Sequence, residues 1–210
     1  MKIQNYFKYE FFHNYDQDNF FVNSTNKEVY ETLINPSFNQ NIFVCGPEKS
    51  GKSHLINIWK LKNNAIIYKN NFNEILNSKK NVAIDNLFNA GSEESLFHII
   101  NHCKSFNLKI LATSSNNLNE YNFHFKDLYS RLRTFYFLTI KEPDDEMCKI
   151  LMTKLFYEKQ IIVKNKDIFN FIFYRINRTY NDIFSCVEKI DKLSLEKKRQ
   201  LTIPLIREIL

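Results

Sequence analysis

Glycine is scarce in this sequence: three in 210 residues, alongside four prolines and a single tryptophan. Because glycine supplies left-handed backbone and close backbone approach, each one in such a chain marks a local demand of the fold. No apolar run reaches the roughly 20 residues a membrane helix needs, which excludes a helical membrane anchor. The N-terminus, MKIQNYFKYEFFHNYD, has no small-residue cleavage site and carries acids and amides among its apolar positions, so it reads as mature protein. The four cysteines (Cys45, Cys103, Cys148 and Cys186) lie far apart with no C-x-x-C pair. That spacing indicates neither a zinc site nor a disulfide framework, and a reducing, cytoplasmic setting is expected. Arginine is also sparse, with six residues, all from Arg131 onward. A guanidinium offers a planar donor fork that lysine lacks, so those few positions are worth following.

What is present is ordinary for a globular chain: 44% hydrophobic and 25% charged residues, enough for one substantial core plus a small satellite domain. The net charge of +6 has two readings, a nucleic-acid partner or a composition rich in Asn and Lys, with 28 asparagines. The lysines are dispersed along the sequence, which favours the compositional reading.

Short β-branched or aromatic runs recur at NIFVCG (41–46), AIIYK (65–69), NVAIDNLF (81–88), KILATSS (109–115) and TFYFLTI (134–140). They are apolar at consecutive positions, as in strands buried on both faces of a parallel sheet. Helical stretches lie between them, most clearly SHLINIWKLK and SEESLFHIINHCKSF, the latter opening at Ser92 with Glu93 and Glu94 in its first turn. Alternating strands and helices predict an α/β three-layer domain. After Pro143 only helical periodicity remains, in DDEMCKILMTKLFYEKQ, NKDIFNFIFYRI, YNDIFSCVEKIDKLSLEKK and TIPLIREIL. The expected division is therefore a segment 1–17, an α/β nucleotide-binding domain 18–142 and a small all-helical lid 143–210.

Two of the three glycines fall in NIFVCGPEKSGKSHLI (41–56), where G-x-x-x-x-G-K-S stands between a strand and a helix. This is the pattern of a phosphate-binding loop: Gly46, Pro47 and Gly51 shape a cradle of N–H groups that leads to His54 in the helix's first turn. Lys52 reaches the β and γ phosphates and Ser53 ligates Mg²⁺. Asp85, closing the strand VAID, stands where a Walker B carboxylate would hold the magnesium's water shell. Asn86 follows it. An amide cannot accept a proton from water, so weak or no intrinsic ATP hydrolysis is expected unless Asn86 is only a turn residue. Ser114 or Ser115, at the end of the fourth strand, can sense a γ phosphate or simply begin a loop. Arg131 precedes the last strand with Arg133 beside it, and Arg178 opens a helix of the lid.

These features together resemble AAA+ proteins of the DnaA group, and more narrowly the short DnaA-related regulators called Hda. The likeness runs from about residue 18 to the C-terminus. It is carried by EESLFHIINHCKSFNLKILATSS, DLYSRLRTFYFLTIKEPDDEMCKILMTKLFYEKQ, NRTYNDIFSCVEKIDKL and KRQLTIPLIREIL. The resemblance implies an AAA+ domain that binds ADP (or ATP) with Mg, using Arg178 as a sensor of its own nucleotide. It implies that Arg131 acts as an arginine finger in the ATP site of the initiator DnaA. It also implies docking on the DNA-loaded sliding clamp through an N-terminal peptide, for which Gln4, Phe7 and Tyr9 are the candidates unless that segment packs on the core. Initiators continue past the lid into a DNA-binding domain; the chain ends at Leu210, so no direct sequence-specific DNA binding is expected, and a homo-oligomer is allowed. Three other readings compete. A DnaC-like helicase loader would favour a carboxylate at position 86. A small kinase would need arginines between residues 81 and 130, where there are none. A DNA-binding module would need a recognition helix.

Overall fold

The computed structural model describes residues 19–165 and 167–210. The candidate clamp residues Gln4, Phe7 and Tyr9 lie outside the described residues. Five parallel strands, β1 (Ile42–Cys45), β2 (Ala65–Ile67), β3 (Asn81–Ile84), β4 (Ile110–Ser114) and β5 (Tyr136–Thr139), form one sheet in the order β2-β3-β4-β1-β5. The run at 81–88 is strand only as far as Ile84; Leu87–Asn89 is a turn of 3-10 helix.

The consecutive apolar residues predicted to lie between two layers do so. One face of the sheet gives Phe43, Val82, Ile84, Ile110 and Ala112 to a core shared with α3 (Phe72–Asn77), α4 (Glu93–Ser105) and α5 (Lys126–Leu132). The other face gives Ile42, Val44, Ala83 and Leu111 to a core with α1 (Lys27–Ile34) and α2 (Lys52–Lys62), anchored by Val29, Leu55, Ile56 and Trp59. Fully burying such a side chain contributes about 1.5–3 kcal/mol. Strand β5 departs from the pattern. It is an edge strand, and Tyr136 and Phe137 stay 39% and 46% exposed while resting against Phe38 and Phe43.

The lid is α6 (Asp145–Glu158), α7 (Asp167–Phe173), α8 (Tyr180–Lys197) and α9 (Ile203–Ile206) around its own core of Met152, Phe156, Ile172, Ile183, Val187 and Ile206. Side-chain N-caps start several helices: Ser92 on α4, Asp144 on α6, Thr179 on α8 and Thr202 on α9. Each cap is worth about 1 kcal/mol. All four cysteines are buried free thiols; desolvation pushes Cys103 up to about 12 and Cys148 and Cys186 to about 11. Among the described residues no helix is long and apolar enough to cross a membrane.

Candidate nucleotide-binding site

Strand β1 lies between β4 and the edge strand β5, and the chain leaves this pair in opposite directions, from β1 through α2 to β2 at the far edge and from β4 through α5 to β5. Ligands of open parallel sheets bind outside the carboxyl ends of the strands at such a switch point. The loop 46–51 lies there, and both of its glycines are required. A Cβ on Gly46 would stand 2.8 Å from the Ile140 Cβ. Gly51 is the N-cap of α2 at φ +91°, and a Cβ there would meet the Phe20 ring at 2.9 Å.

Lys52 is buried, and its Nζ donates to the carbonyls of Gly46 (2.7 Å) and Pro47 (2.6 Å). Burial holds its pKa below the usual lysine value, against the opposing pull of Cys45, Asp85 and Glu48. The Ser50 hydroxyl is buried with no hydrogen-bond partner. A desolvated ammonium turned on loop carbonyls and an orphaned hydroxyl beside it form a cradle short of negative charge and acceptors. Both needs are met by phosphate oxygens.

Because β4 lies between β1 and β3, its end separates the loop from Asp85. The main chain of Gly46 donates to the Ser114 carbonyl at 3.2 Å. Thr113 donates its hydroxyl to Asp85 Oδ1 at 2.8 Å and accepts from the Asn86 main chain at 3.1 Å. The Ser114 hydroxyl instead accepts from Asn116 N at 3.0 Å, capping its own loop. Thr113 was missed from sequence; its signal was its place one residue beyond the ladder pair Ile84–Ala112, which only the register supplies. Asn86 adopts φ +52°, a left-handed conformation that asparagine tolerates better than most residues. The backbone therefore gives a reason for asparagine here that is independent of catalysis.

A cleft of about 340 Å³ opens beside the loop, lined on one side by Lys49–His54 and on the others by Asn19, Phe20, Phe21 and Asn26 and by the lid residues Met147, Ile150, Leu151, Lys154, Tyr180 and Phe184. Ser53 and His54 belong to this lining, and the Phe20 ring meets His54 edge-on at 5.3 Å. The wall at 19–26 was not read from sequence. Its signals were Asn26 ahead of KEVYETLI and the spacing of Val29 and Leu33 on α1. That wall is tied to the lid. Asn23 Nδ2 donates to both oxygens of Asp144 (2.9 and 3.0 Å), Ser24 adds a third bond at 2.8 Å, and Asp144 Oδ1 also accepts from Met147 N at 2.8 Å. The Met147 amide leads the causes that hold the Asp144 carboxyl below its usual range.

The lid meets the loop through α8. Asn181 Nδ2 lies 3.5 Å from Glu48 Oε2, and the Lys49 ammonium stands 5.1 Å from the centre of the Phe184 ring. Arg178 is not in the cleft lining. It precedes the Thr179 cap and pairs with Asp145 at 2.6 Å on the surface. Arg131 lies in the last turn of α5, half-buried and outside the cleft, with no ion pair among the described residues; Arg133 lies 5.8 Å from the Tyr129 ring centre.

Residues 144–210 match the family model for the Hda lid domain. The fold resembles domain III of the replication initiation protein DnaA of Thermotoga maritima, with a TM-score of 0.74 at 18% identity over 94% of this chain and 96% of that one. AMPPCP-bound DnaA from Aquifex aeolicus gives 0.67 at 19% identity, covering 88% and 68% of the two chains. RuvB of Thermotoga maritima gives 0.64 at 14% identity, covering 92% and 68%. An uncharacterized protein of Haemophilus influenzae is 26% identical over 186 residues, 80% of each chain. Sheet order, phosphate-loop geometry and helical lid together give an AAA+-type P-loop fold, the fold of these initiator and RuvB structures. Within that fold, residues 144–210 are similar to the Hda lid domain and the α/β part to domain III of DnaA.

Proposed function

We propose that this chain is a nucleotide-controlled adaptor that restrains replication initiation by docking on the DNA-loaded sliding clamp and stimulating ATP hydrolysis by DnaA. The observation that carries the reading is a phosphate-loop cleft roofed by an Hda lid. An adenine nucleotide, ADP or ATP, suits a cleft with a basic floor and apolar walls. AMPPCP in the Aquifex initiator supports the same class of ligand. Lys52 and the loop around Gly46, Pro47 and Gly51 hold phosphate oxygens, Ser53 and Asp85 hold Mg²⁺, and Phe20, Phe21, Tyr180 and Phe184 exclude water from the base. The bound nucleotide supplies charge that fixes the lid against the loop; this chain's own hydrolysis is slow because position 86 offers no base.

Arg131 acts outside its own cleft. With no ion pair to break among the described residues, its guanidinium can meet developing phosphoryl charge in the ATP site of DnaA, where a supplied arginine is worth about 10³–10⁵ in rate. Gln4, Phe7 and Tyr9 insert in the clamp as small anchors. The test is a reconstituted reaction with ATP-loaded DnaA, clamp on DNA and ADP, scored as conversion of DnaA-bound ATP to ADP. Conversion should depend on this protein, vanish with Arg131→Ala, recover poorly with Arg131→Lys, and vanish on deletion of residues 1–10. Full stimulation by Arg131→Ala, with ADP affinity unaltered, overturns the role given to that arginine.

A further inference from the structure

The lysines that look dispersed in the sequence are gathered by the topology. The segments entering the five strands, 35–41, 63–64, 78–80, 106–109 and 133–135, contain no Asp or Glu. Helices that return to this end bring Lys60 and Lys62 in the last turn of α2 and Lys104 in the last turn of α4, and the loop before β3 adds Lys79 and Lys80. Side-chain bonds hold these segments in one surface. Asn81 Nδ2 donates to the Asn63 carbonyl (2.8 Å), and Lys109 N donates to Asn81 Oδ1 (2.8 Å). His102 Nε2 lies 3.3 Å from the Ser78 carbonyl, and the Lys79 ammonium stands 5.9 Å from the centre of the Phe106 ring. Lys60, Lys62, Lys79, Lys80 and Lys104 are all exposed, and none has an ion pair among the described residues.

The acids of α3, α4 and the β3 end, Glu74, Asp85, Glu93 and Glu94, lie at the opposite end, in the first turns of α3 and α4 and just past β3, and Glu31 on α1 is paired with Lys27. Helix dipoles account for Lys60, Lys62 and Lys104 at the ends of their helices, but not for the pair in the loop. Five unpaired ammonium groups on neighbouring elements repel one another, and a polyanion relieves that repulsion.

We propose that this end of the sheet binds the phosphate backbone of duplex DNA without reading its sequence. Charge complementarity names the occupant. Strands β2, β3 and β4 are spaced by about 4.8 Å, so the lysines beside them sample a duplex that carries one charge per roughly 1.7 Å of axis. Lysine is a point charge on a flexible stem and fits phosphates in any register, whereas geometric readout of bases would call for arginine forks. The site lies at the far end of the sheet from the nucleotide cleft and stands apart from the function proposed above.

The test uses the full chain with a fluorescein-labelled random duplex of about 20 base pairs, followed by anisotropy across about 50–200 mM salt. The wild type should bind with Kd of roughly 10⁻⁴–10⁻⁶ M and a log–log salt slope of about −0.9 per lysine engaged. The triple variant Lys79→Glu/Lys80→Glu/Lys104→Glu should lose at least about tenfold in affinity and flatten the slope by two to three ions. A lid variant of equal charge change, Lys149→Glu/Lys189→Glu/Lys192→Glu, should bind as the wild type does. The triple Lys→Gln version at positions 79, 80 and 104 covers the case in which charge reversal harms folding, and it should show the same direction. Equal weakening by both Glu triples overturns the proposal, since only net charge would then matter. Absence of salt-dependent duplex binding, or preferential binding of polyglutamate, overturns it in favour of an acidic protein partner.

Discussion

Thr113 holds Asp85: its hydroxyl donates to the carboxylate at 2.8 Å and takes the Asn86 amide at 3.1 Å, so one residue of β4 fixes both residues that follow β3. Thr113→Val keeps the shape and leaves the Asn86 amide without an acceptor, at a cost of about 1–3 kcal/mol. Loss of the donor also frees Asp85 from its position. Calorimetric titration with nucleotide should show a reduced advantage of Mg²⁺ over EDTA in Thr113→Val, restored by Thr113→Ser. An unchanged Mg²⁺ advantage in the valine variant would show that the bond is structural only.

Asn86 can be tested for its two roles at once. Asn86→Gly satisfies the left-handed backbone and should leave both stability and turnover close to the wild type. Asn86→Glu strains a backbone at φ +52°, costing about 1 kcal/mol, while it supplies the missing base. If the amide is what suppresses hydrolysis, the glutamate variant should turn over ATP measurably faster despite lower stability. No gain in turnover would leave position 86 as a turn residue.

The contact between Asn23 and Asp144 sets the distance between two walls of the cleft, because Phe21 lies just before one partner and Met147 just after the other. Asn23→Asp should weaken nucleotide binding by facing two carboxylates, and the exchange Asn23→Asp/Asp144→Asn should restore it, since donor and acceptor are merely swapped. Acid titration gives a second readout. The Asp144 carboxyl is held below its ordinary value of 3.8, so its contribution to stability is present above that pH and is lost as pH falls through the folded value. The difference in stability between wild type and Asp144→Asn should therefore shrink below about pH 4. A difference that stays constant from neutral pH into acid would rule out this carboxylate as the source.

Arg178 meets Asp145 on the surface, with side chains 54% and 75% exposed, so the pair itself is worth little. If the arginine acts on nucleotide only by joining the starts of α6 and α8, Arg178→Ala, Asp145→Ala and the double variant should lose the same small amount of ADP affinity. A direct contact with phosphate predicts a large loss for Arg178→Ala alone and none for Asp145→Ala. The double-mutant cycle separates the two.

Local chemistry made the phosphate loop legible. Gly46 and Gly51 stand where no Cβ fits, and the apolar runs of β1, β3 and β4 are buried as their unbroken hydrophobicity implied. The Ser92 cap on α4 and the apolar spacing of α6 and α8 were equally readable, because capping and helical periodicity act within a few residues. The clue at β5 misled in one respect: an edge strand of aromatic residues reads in sequence like a central one.

By itself, then, the sequence determined an α/β nucleotide-loop domain followed by a helical lid, since each element is specified by neighbours along the chain. The tertiary structure alone decided that Thr113 reaches Asp85, that Asn181 rather than Arg178 faces the loop, and that lysines far apart in the sequence share one end of the sheet. Those outcomes follow from strand order and lid docking, which are contacts between distant segments. Such contacts are set by how whole faces bury against one another, and no local pattern encodes them.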